Sequence, residues 1–327
     1  MRKLERVCGI EGDALRVIQS YLEGRRQRTR MTTGRSQWRP VPCGVPQGSV
    51  WGPLLFSLYT ADIGRYVTAA DIVMYADDVT LVTSHKDPSQ ARDQMNEALS
   101  QLADYARGNR IAPEPTKTQL MVSAGHAKLK GLRDLACEMG AQRIKPRQVI
   151  KVLGVLLDEQ LTWDDHCAAA ARRASNATRQ VARAASALKR KDRSALLEAL
   201  AHPHLDYGQS AMVNPSAHAA GLMSRCYGKT ARVAKWGSYA LHRWGCQCER
   251  CSKEGMPRGT AEALSEEGWR SWEERRAAVR AAFTMKIFET GTPASLRAML
   301  PTVAAALAHD RRLRSRSKGC VPVPSCR

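Results

Sequence analysis

The sequence predicts an α+β fold, in which helices and short antiparallel strands alternate along the chain, and three observations carry that prediction. Apolar residues recur at helical spacing over residues 4–22 and 88–107. Short apolar, β-branched runs at 72–75 and 79–82, and again at 149–157, read as paired strands. A stretch from 164 to 200, rich in Ala, Arg and Leu and poor in breakers, reads as two helices of a bundle.

The elements follow in order. Leu4, Val7, Ala14, Leu15, Ile18 and Leu22 predict one amphipathic helix, which Gly24 is placed to end. Arg26, Arg28 and Arg30 alternate with other residues over 26–33, as in a strand with one basic face. A turn-rich segment then closes on Pro46-Gln47-Gly48-Ser49, and Leu54 to Tyr59 reads as a buried helix. Only Ala76-Asp77-Asp78 separates the strands at 72–75 and 79–82, which implies a tight hairpin. Met95, Leu99, Leu102 and Tyr105 mark the next helix, Gln119 to Val122 a further strand, and Val149 to Leu157 a second hairpin. Composition shifts near residue 160, so the predicted domains are 1–160, 161–235 and 236–327.

Fifty-one Lys and Arg against 31 Asp and Glu give a formal charge of +20, which favours association with a polyanion, nucleic acid foremost. A basic protein that is merely soluble, or that meets anionic membrane surfaces, is the alternative on charge alone. No run approaches the ~18 apolar residues of a membrane span, and no apolar signal core follows the first residues. The ten cysteines are scattered except for Cys246, Cys248 and Cys251, which argues against a secreted disulfide framework and for an intracellular chain.

Two adjacent carboxylates at a hairpin tip repel each other, and a turn alone needs neither. Asp is nevertheless common in turns, because its side chain bonds neighbouring backbone. A divalent cation is the chemical alternative: Mg²⁺ or Mn²⁺ takes carboxylate oxygens together with substrate phosphates, which makes Asp77 and Asp78 candidate ligands in a phosphoryl-transfer site.

Read together, Gly44-Val45-Pro46-Gln47-Gly48-Ser49-Val50-Trp51-Gly52-Pro53-Leu54-Leu55-Phe56 and Tyr75-Ala76-Asp77-Asp78 resemble motifs B and C of reverse transcriptases in order and spacing. Pro115-Thr116-Lys117-Thr118 resembles the motif D lysine segment. Val152 to Asp158 with Leu161-Thr162-Trp163 resembles the motif E hairpin of LINE-like, non-LTR retrotransposons, and fits an intron-encoded maturase less well. His204-Leu205-Asp206-Tyr207-Gly208 is similar to a patch in the thumb of the same group. The resemblance covers residues 1 to 215, roughly two thirds of the chain.

It implies part of a right-hand polymerase palm, an antiparallel sheet with helices, followed by a helical thumb and a small C-terminal region. The implied activity is RNA-directed DNA polymerisation, with an RNA template, a DNA primer and deoxynucleoside triphosphates as partners. Asp77 would hold metal and Asp78 support it. Pro46, Gln47, Gly48, Tyr75 and Ala76 would line the nascent base pair, and Lys117 would sit near the leaving pyrophosphate as proton donor or counter-charge. The plain alternative for Lys117 is an exposed lysine guarding a strand edge.

The family also needs an aspartate on a strand before motif B. The acidic residues upstream of Gly44 are Glu5, Glu11, Asp13 and Glu23, all in or beside the first amphipathic helix, so none supplies it. The expectation is therefore a chain without the upstream palm strand and fingers, with little polymerase activity by itself. A noncatalytic nucleic-acid-binding remnant of such an element is the competing expectation.

Toward the C-terminus, His242, Cys246, Cys248 and Cys251 offer enough soft ligands for a tetrahedral Zn²⁺ site, although Cys-x-Cys-x-x-Cys is not the usual spacing and free loop cysteines are the alternative. Trp236 and Trp244 lie among cations suited to base stacking, whereas Trp269 and Trp272 read as core anchors. The tail from Arg311 to Lys318 reads as a disordered, phosphate-binding segment or as a nuclear-import signal, and on the latter reading the expected location is the nucleus.

Overall fold

The computed structural model describes residues 1–124, 131–132, 134–237 and 259–291, and the chain divides into two compact units, Met1–Arg147 and Gln148–Arg327. The fold mixes helices with small antiparallel sheets. Among the described residues the strands pair as separate two-stranded ribbons.

In the first unit, the helix expected over 4–22 is two helices, α1 (Arg2–Arg6) and α2 (Gly12–Leu22). Gly9 and Gly12 adopt φ of +65° and +62°, a left-handed backbone that no α-helix can run through. Leu4 and Ile18 still meet over Leu55 with Leu15 and Leu22 packed beside them, whereas Val7 and Ala14 are exposed, so the apolar spacing signalled burial in part and continuity wrongly. The strand expected over 26–33 is likewise two short pieces, β1 (Arg26–Gln27) and β2 (Arg30–Met31). They return as β3 (Gly34–Arg35) and β4 (Arg39–Pro40) in one protruding arm.

Helices α3 (Trp51–Thr60) and α4 (Ile63–Tyr66) lead into β5 (Asp71–Tyr75) and β6 (Asp78–Val82). α3 is only partly buried: Leu55 is inside, but Leu54 is exposed. Helix α5 (Pro88–Gly108) starts cleanly because the Asp87 carboxylate accepts from the Ser89 N–H at 2.9 Å and Pro88 fits the first turn. Its Ala98 and Tyr105 pack with Ile63 and Val67 under Ile72, Met74 and Leu81, so the hairpin rests on this helix by one face. The strand expected at 119–122 reduces to a single bridge from Leu120 to Pro146, followed in space by the ribbon β7 (Cys137–Met139) and β8 (Gln142–Ile144).

A buried polar node fastens α1, α4 and α5 together. Lys3 Nζ lies 2.6 Å from Asp62 Oδ1 and donates to Tyr105 OH at 3.0 Å and Asn109 Oδ1 at 2.8 Å, while Tyr105 OH donates to Asp62 at 2.7 Å. Burial pushes the Asp62 carboxyl up, but the bonds from Lys3 and Tyr105 and the Lys3 charge outweigh it and hold the group below the usual carboxylate range.

The second unit opens with the hairpin β9 (Val149–Val152) and β10 (Val155–Asp158), then α6 (Asp164–Arg183), α7 (Arg190–Leu200), α8 (His202–Asp206), α9 (Ala217–Trp236), α10 (Gly259–Glu266) and α11 (Trp272–Thr290). Ala170, Ala171 and Ala174 of α6 are small enough to let α9 approach, and Met223, Cys226 and Tyr227 fill the seam with Leu197 and Trp272. Trp272 is fully buried and a core anchor, as expected. Trp269 packs on the same cluster from the turn before α11 rather than from a helix, with its indole N–H donating to Glu198 at 2.7 Å.

Candidate active site

The β5–β6 hairpin turns through two residues. Tyr75 pairs with Asp78, so the tip is Ala76-Asp77 and Asp78 is the first residue of the return strand. Ala76 holds φ at +53°, a conformation that costs a non-glycine residue about 1 kcal/mol or more and is concentrated at functional positions. Side chains alternate along β5: Ile72 and Met74 enter the core, while Val73 and Tyr75 stand exposed on the other face. Asp78, opposite Tyr75, belongs to that exposed face, and Asp77 projects at its end. Tyr75, Ala76, Asp77 and Asp78 thus come together at one solvent-facing tip.

Pro46, Gln47 and Gly48 lie on the turn that precedes α3. The Ser49 hydroxyl donates to the Pro46 carbonyl at 2.7 Å and accepts from the Gly52 N–H at 3.0 Å, so the serine closes the turn onto the helix. A Cβ on Gly52 would stand 3.0 Å from both the Pro46 carbonyl and the Ser49 hydroxyl, which is why that position takes glycine. Gln47 and Gly48 are left exposed at the apex.

Lys117 ends a 3-10 turn, Pro115–Lys117, in which the Glu114 carboxylate accepts from Thr116 N at 3.2 Å and Thr116 Oγ1 at 2.7 Å. The lysine is exposed and stands on a turn, not on the strand edge that its plain reading supposed. His242, Cys246, Cys248 and Cys251, together with Trp244 and the tail 311–318, fall outside the described residues.

The carboxylate oxygens of Asp77 and Asp78 are the hard donors that Mg²⁺ or Mn²⁺ accepts. Their number falls short: among the described residues no group of three or more His, Cys, Asp or Glu side chains is placed to hold a metal ion. The chemistry of the donors therefore fits such an ion, and the cage does not close on this chain's described residues alone.

In the second unit, the two segments that resemble motif E and the thumb patch meet. Tyr207 OH donates to the Leu153 carbonyl at 2.5 Å, and its ring lies 3.3 Å from where a Cβ on Gly154 would stand, with Gly154 at φ +86°. His166, almost fully buried, accepts from Leu156 N–H on Nδ1 at 3.3 Å and reaches the Tyr207 carbonyl from Nε2 at 3.3 Å. Because Nδ1 must accept, the neutral ring carries its proton on Nε2. Burial, with a smaller push from Arg173, lowers its pKa and keeps it in that form. Asp158 completes the hairpin: its carboxylate accepts from Gln160, Thr162 and Trp163 N–H at 3.1, 2.9 and 2.8 Å, and so sets the start of α6. An open groove of about 460 Å³ remains, lined by Lys151, Arg173, His204 and Tyr207 among others. His166 carried no expectation from the sequence, and Asp158 none beyond its place in the segment that resembles motif E, because each acts on backbone atoms.

Residues 4–157 match the model of a family described as reverse transcriptase (RNA-dependent DNA polymerase). The particular relatives include a probable RNA-directed DNA polymerase from transposon BS of Drosophila melanogaster, 35% identical over 167 residues, which are 48% of this chain and 18% of that protein. The RNA-directed DNA polymerase from mobile element jockey of the same organism is 29% identical over 160 residues, 46% of this chain and 17% of that protein. The probable polymerase from transposon X-element, also of Drosophila melanogaster, is 30% identical over 154 residues, 46% of this chain and 16% of that protein. The chain thus spans less than a fifth of the length of these relatives. No solved structure gives a significant match. Among the described residues no helix is long and apolar enough to cross a membrane.

Proposed function

We propose that this chain is the primer-side part of the RNA-directed DNA polymerase of a non-LTR, LINE-like retrotransposon. The observation that carries the reading is the pair Asp77 and Asp78 at the exposed tip of the β5–β6 hairpin, inside the segment similar to reverse transcriptases. In this reading residues 1–160 are the primer-side palm and residues 161–235 the thumb. Asp77 and Asp78 would hold Mg²⁺ or Mn²⁺, which supplies charge neutralisation at the transferring phosphate. Pro46, Gln47, Gly48, Tyr75 and Ala76 would flank the nascent base pair, where the Gly48 backbone stands clear of any side chain of its own. Lys117 would offset charge on leaving pyrophosphate, and the Lys151–Arg173–His204 groove would take primer phosphates. None of the acidic residues upstream of Gly44 would supply a further carboxylate to such an ion.

A noncatalytic nucleic-acid binder is the second reading, favoured by the two-carboxylate tip and the +20 charge. Primer extension on a homopolymer RNA template with Mg²⁺ separates the two. The chain alone should be silent; the chain extended upstream to include the missing strand should extend primer, and Asp77→Ala, Asp78→Ala in that background should abolish extension. Activity of the unextended chain that survives the double substitution sinks the assignment of the site, and an inactive extended chain favours the binder.

A further inference from the structure

None of the residues assigned above to the polymerase site lies on the arm formed by β1 to β4, yet the arm's charge is entirely of one sign. Between Glu23 and Asp62 the sequence holds six arginines and no acidic residue. Arg25 is used to fix the base of the arm: its guanidinium donates to the carbonyls of Leu22 at 2.8 Å, Cys43 at 3.3 Å and Gly44 at 2.6 Å. The other five, Arg26, Arg28, Arg30, Arg35 and Arg39, make no ion pair among the described residues, and residues 26–40 are exposed throughout.

The register decides which of them act together. Arg26 pairs with Pro40, Gln27 with Arg39, Arg30 with Arg35, and Ser36 N donates to the Thr29 carbonyl at 2.9 Å. Arg28 therefore faces two residues, Gln37 and Trp38, in a β-bulge that twists the arm. Alternation puts Arg26, Arg28 and Arg30 on one face, joined by Arg35 from across the ribbon and by Trp38, whose ring lies 4.6 Å from the Arg28 guanidinium carbon. Trp38 keeps 49% of its surface exposed. Directly opposed like charges such as Arg30 and Arg35 weaken a ribbon. Neither fold nor core gains from them, since the arm buries nothing.

We propose that this arginine and tryptophan face is a contact surface for single-stranded nucleic acid, with the four guanidinium groups on backbone phosphates and the open side of Trp38 against a base. A row of cations with an exposed ring between them is the combination that grips an unpaired strand, whose bases are free to stack. The inference stands apart from the polymerase reading, because a chain with no polymerase activity would still bind through the arm.

The test is fluorescence anisotropy of labelled oligothymidylate, oligouridylate and a duplex of equal length, with the full chain over a salt series. Replacing Arg26, Arg28, Arg30 and Arg35 by Gln should weaken single-strand binding roughly tenfold and flatten the salt slope by about two to three, at ~0.7 per phosphate contact. Trp38→Ala should cost about fivefold, as expected for one stacked base. Arg35→Glu turns the repulsive pair into an attractive one, so its melting temperature should rise while its affinity falls, a signature that misfolding cannot imitate. The control removes four charges elsewhere, at exposed residues outside both the arm and the thumb: Arg65, Lys86, Arg143 and Lys145 to Gln. If the control loses as much as the arm variant, or if the arm variant keeps its affinity and slope, or if duplex is bound more tightly than single strand, the proposal is wrong.

Discussion

Two histidines show how single residues in the second unit tie folding to pH. His202 is buried against the Tyr227 ring at 4.6 Å and the Trp269 ring at 4.4 Å, and burial, aided by the charge of Arg275, lowers it to about 4. His166 is lowered by burial in the same direction. Above pH ~6.5 folded and unfolded chains both keep these rings neutral, and their contribution is fully present. As pH falls below that value the unfolded chain takes up protons that the folded chain refuses, so stability declines until the folded His202 titrates near 4. At ~1.4 kcal/mol for each pH unit, His202 alone removes about 3 kcal/mol across that window. Urea unfolding at a series of pH values from neutral to mildly acidic should show the decline, and His202→Gln should make it shallower. A flat profile in the unsubstituted chain would mean that His202 is solvated after all.

At the scale of elements, the hairpin β9–β10 and helix α6 are joined by one carboxylate. Asp158 Oδ1 accepts from Gln160 and Thr162, and Oδ2 accepts from Trp163, holding Leu161 and Trp163 at φ of +55° and +69°. Asp158→Asn would set an amide N–H₂ against the Trp163 N–H, and the expected loss is about 2 kcal/mol in denaturant unfolding, with the helices otherwise retained by circular dichroism. An unchanged midpoint would show that the left-handed residues hold themselves. None of this is written in sequence periodicity. The hairpins at 71–82 and 149–158 were legible because each is two β-branched runs with polar or glycine residues between them. The break between α1 and α2 was not, because Leu4, Leu15 and Ile18 keep a helical spacing across two glycines that reverse the backbone. The run at 119–122 had strand-like composition without a partner strand, so only the Leu120 bridge to Pro146 formed. At the site, Asp77 and Asp78 were legible as a pair in a turn. The strained Ala76, and the tyrosine that seats Gly154 from 53 positions away, depend on a backbone angle and a long-range contact that no local sequence pattern carries.

For the molecule as a whole, the face that carries Asp78 poses a problem of solubility. Val73 and Tyr75 are 59% and 67% exposed on a two-stranded ribbon, which is marginal by itself and is held here by the packing of Ile72, Met74 and Leu81 on its other face. Asp71, Asp78 and Thr80 share this face with Val73, Tyr75 and Val82, so it is mixed, but its open edges still invite a second strand from another molecule. The +20 charge opposes this at long range, but only while it is unscreened: the Debye length is ~10 Å at 0.1 M salt and ~3 Å at 1 M. Association should therefore grow as salt is raised, the reverse of what an ionic contact would do. Val73→Thr keeps the strand propensity and removes apolar surface, so it should hold the protein monomeric at salt concentrations where the unsubstituted chain sediments as larger species. Sedimentation velocity over a salt series reads the outcome. A chain that stays monomeric in high salt without the substitution would show that Val73 and Tyr75 are too few to drive contact.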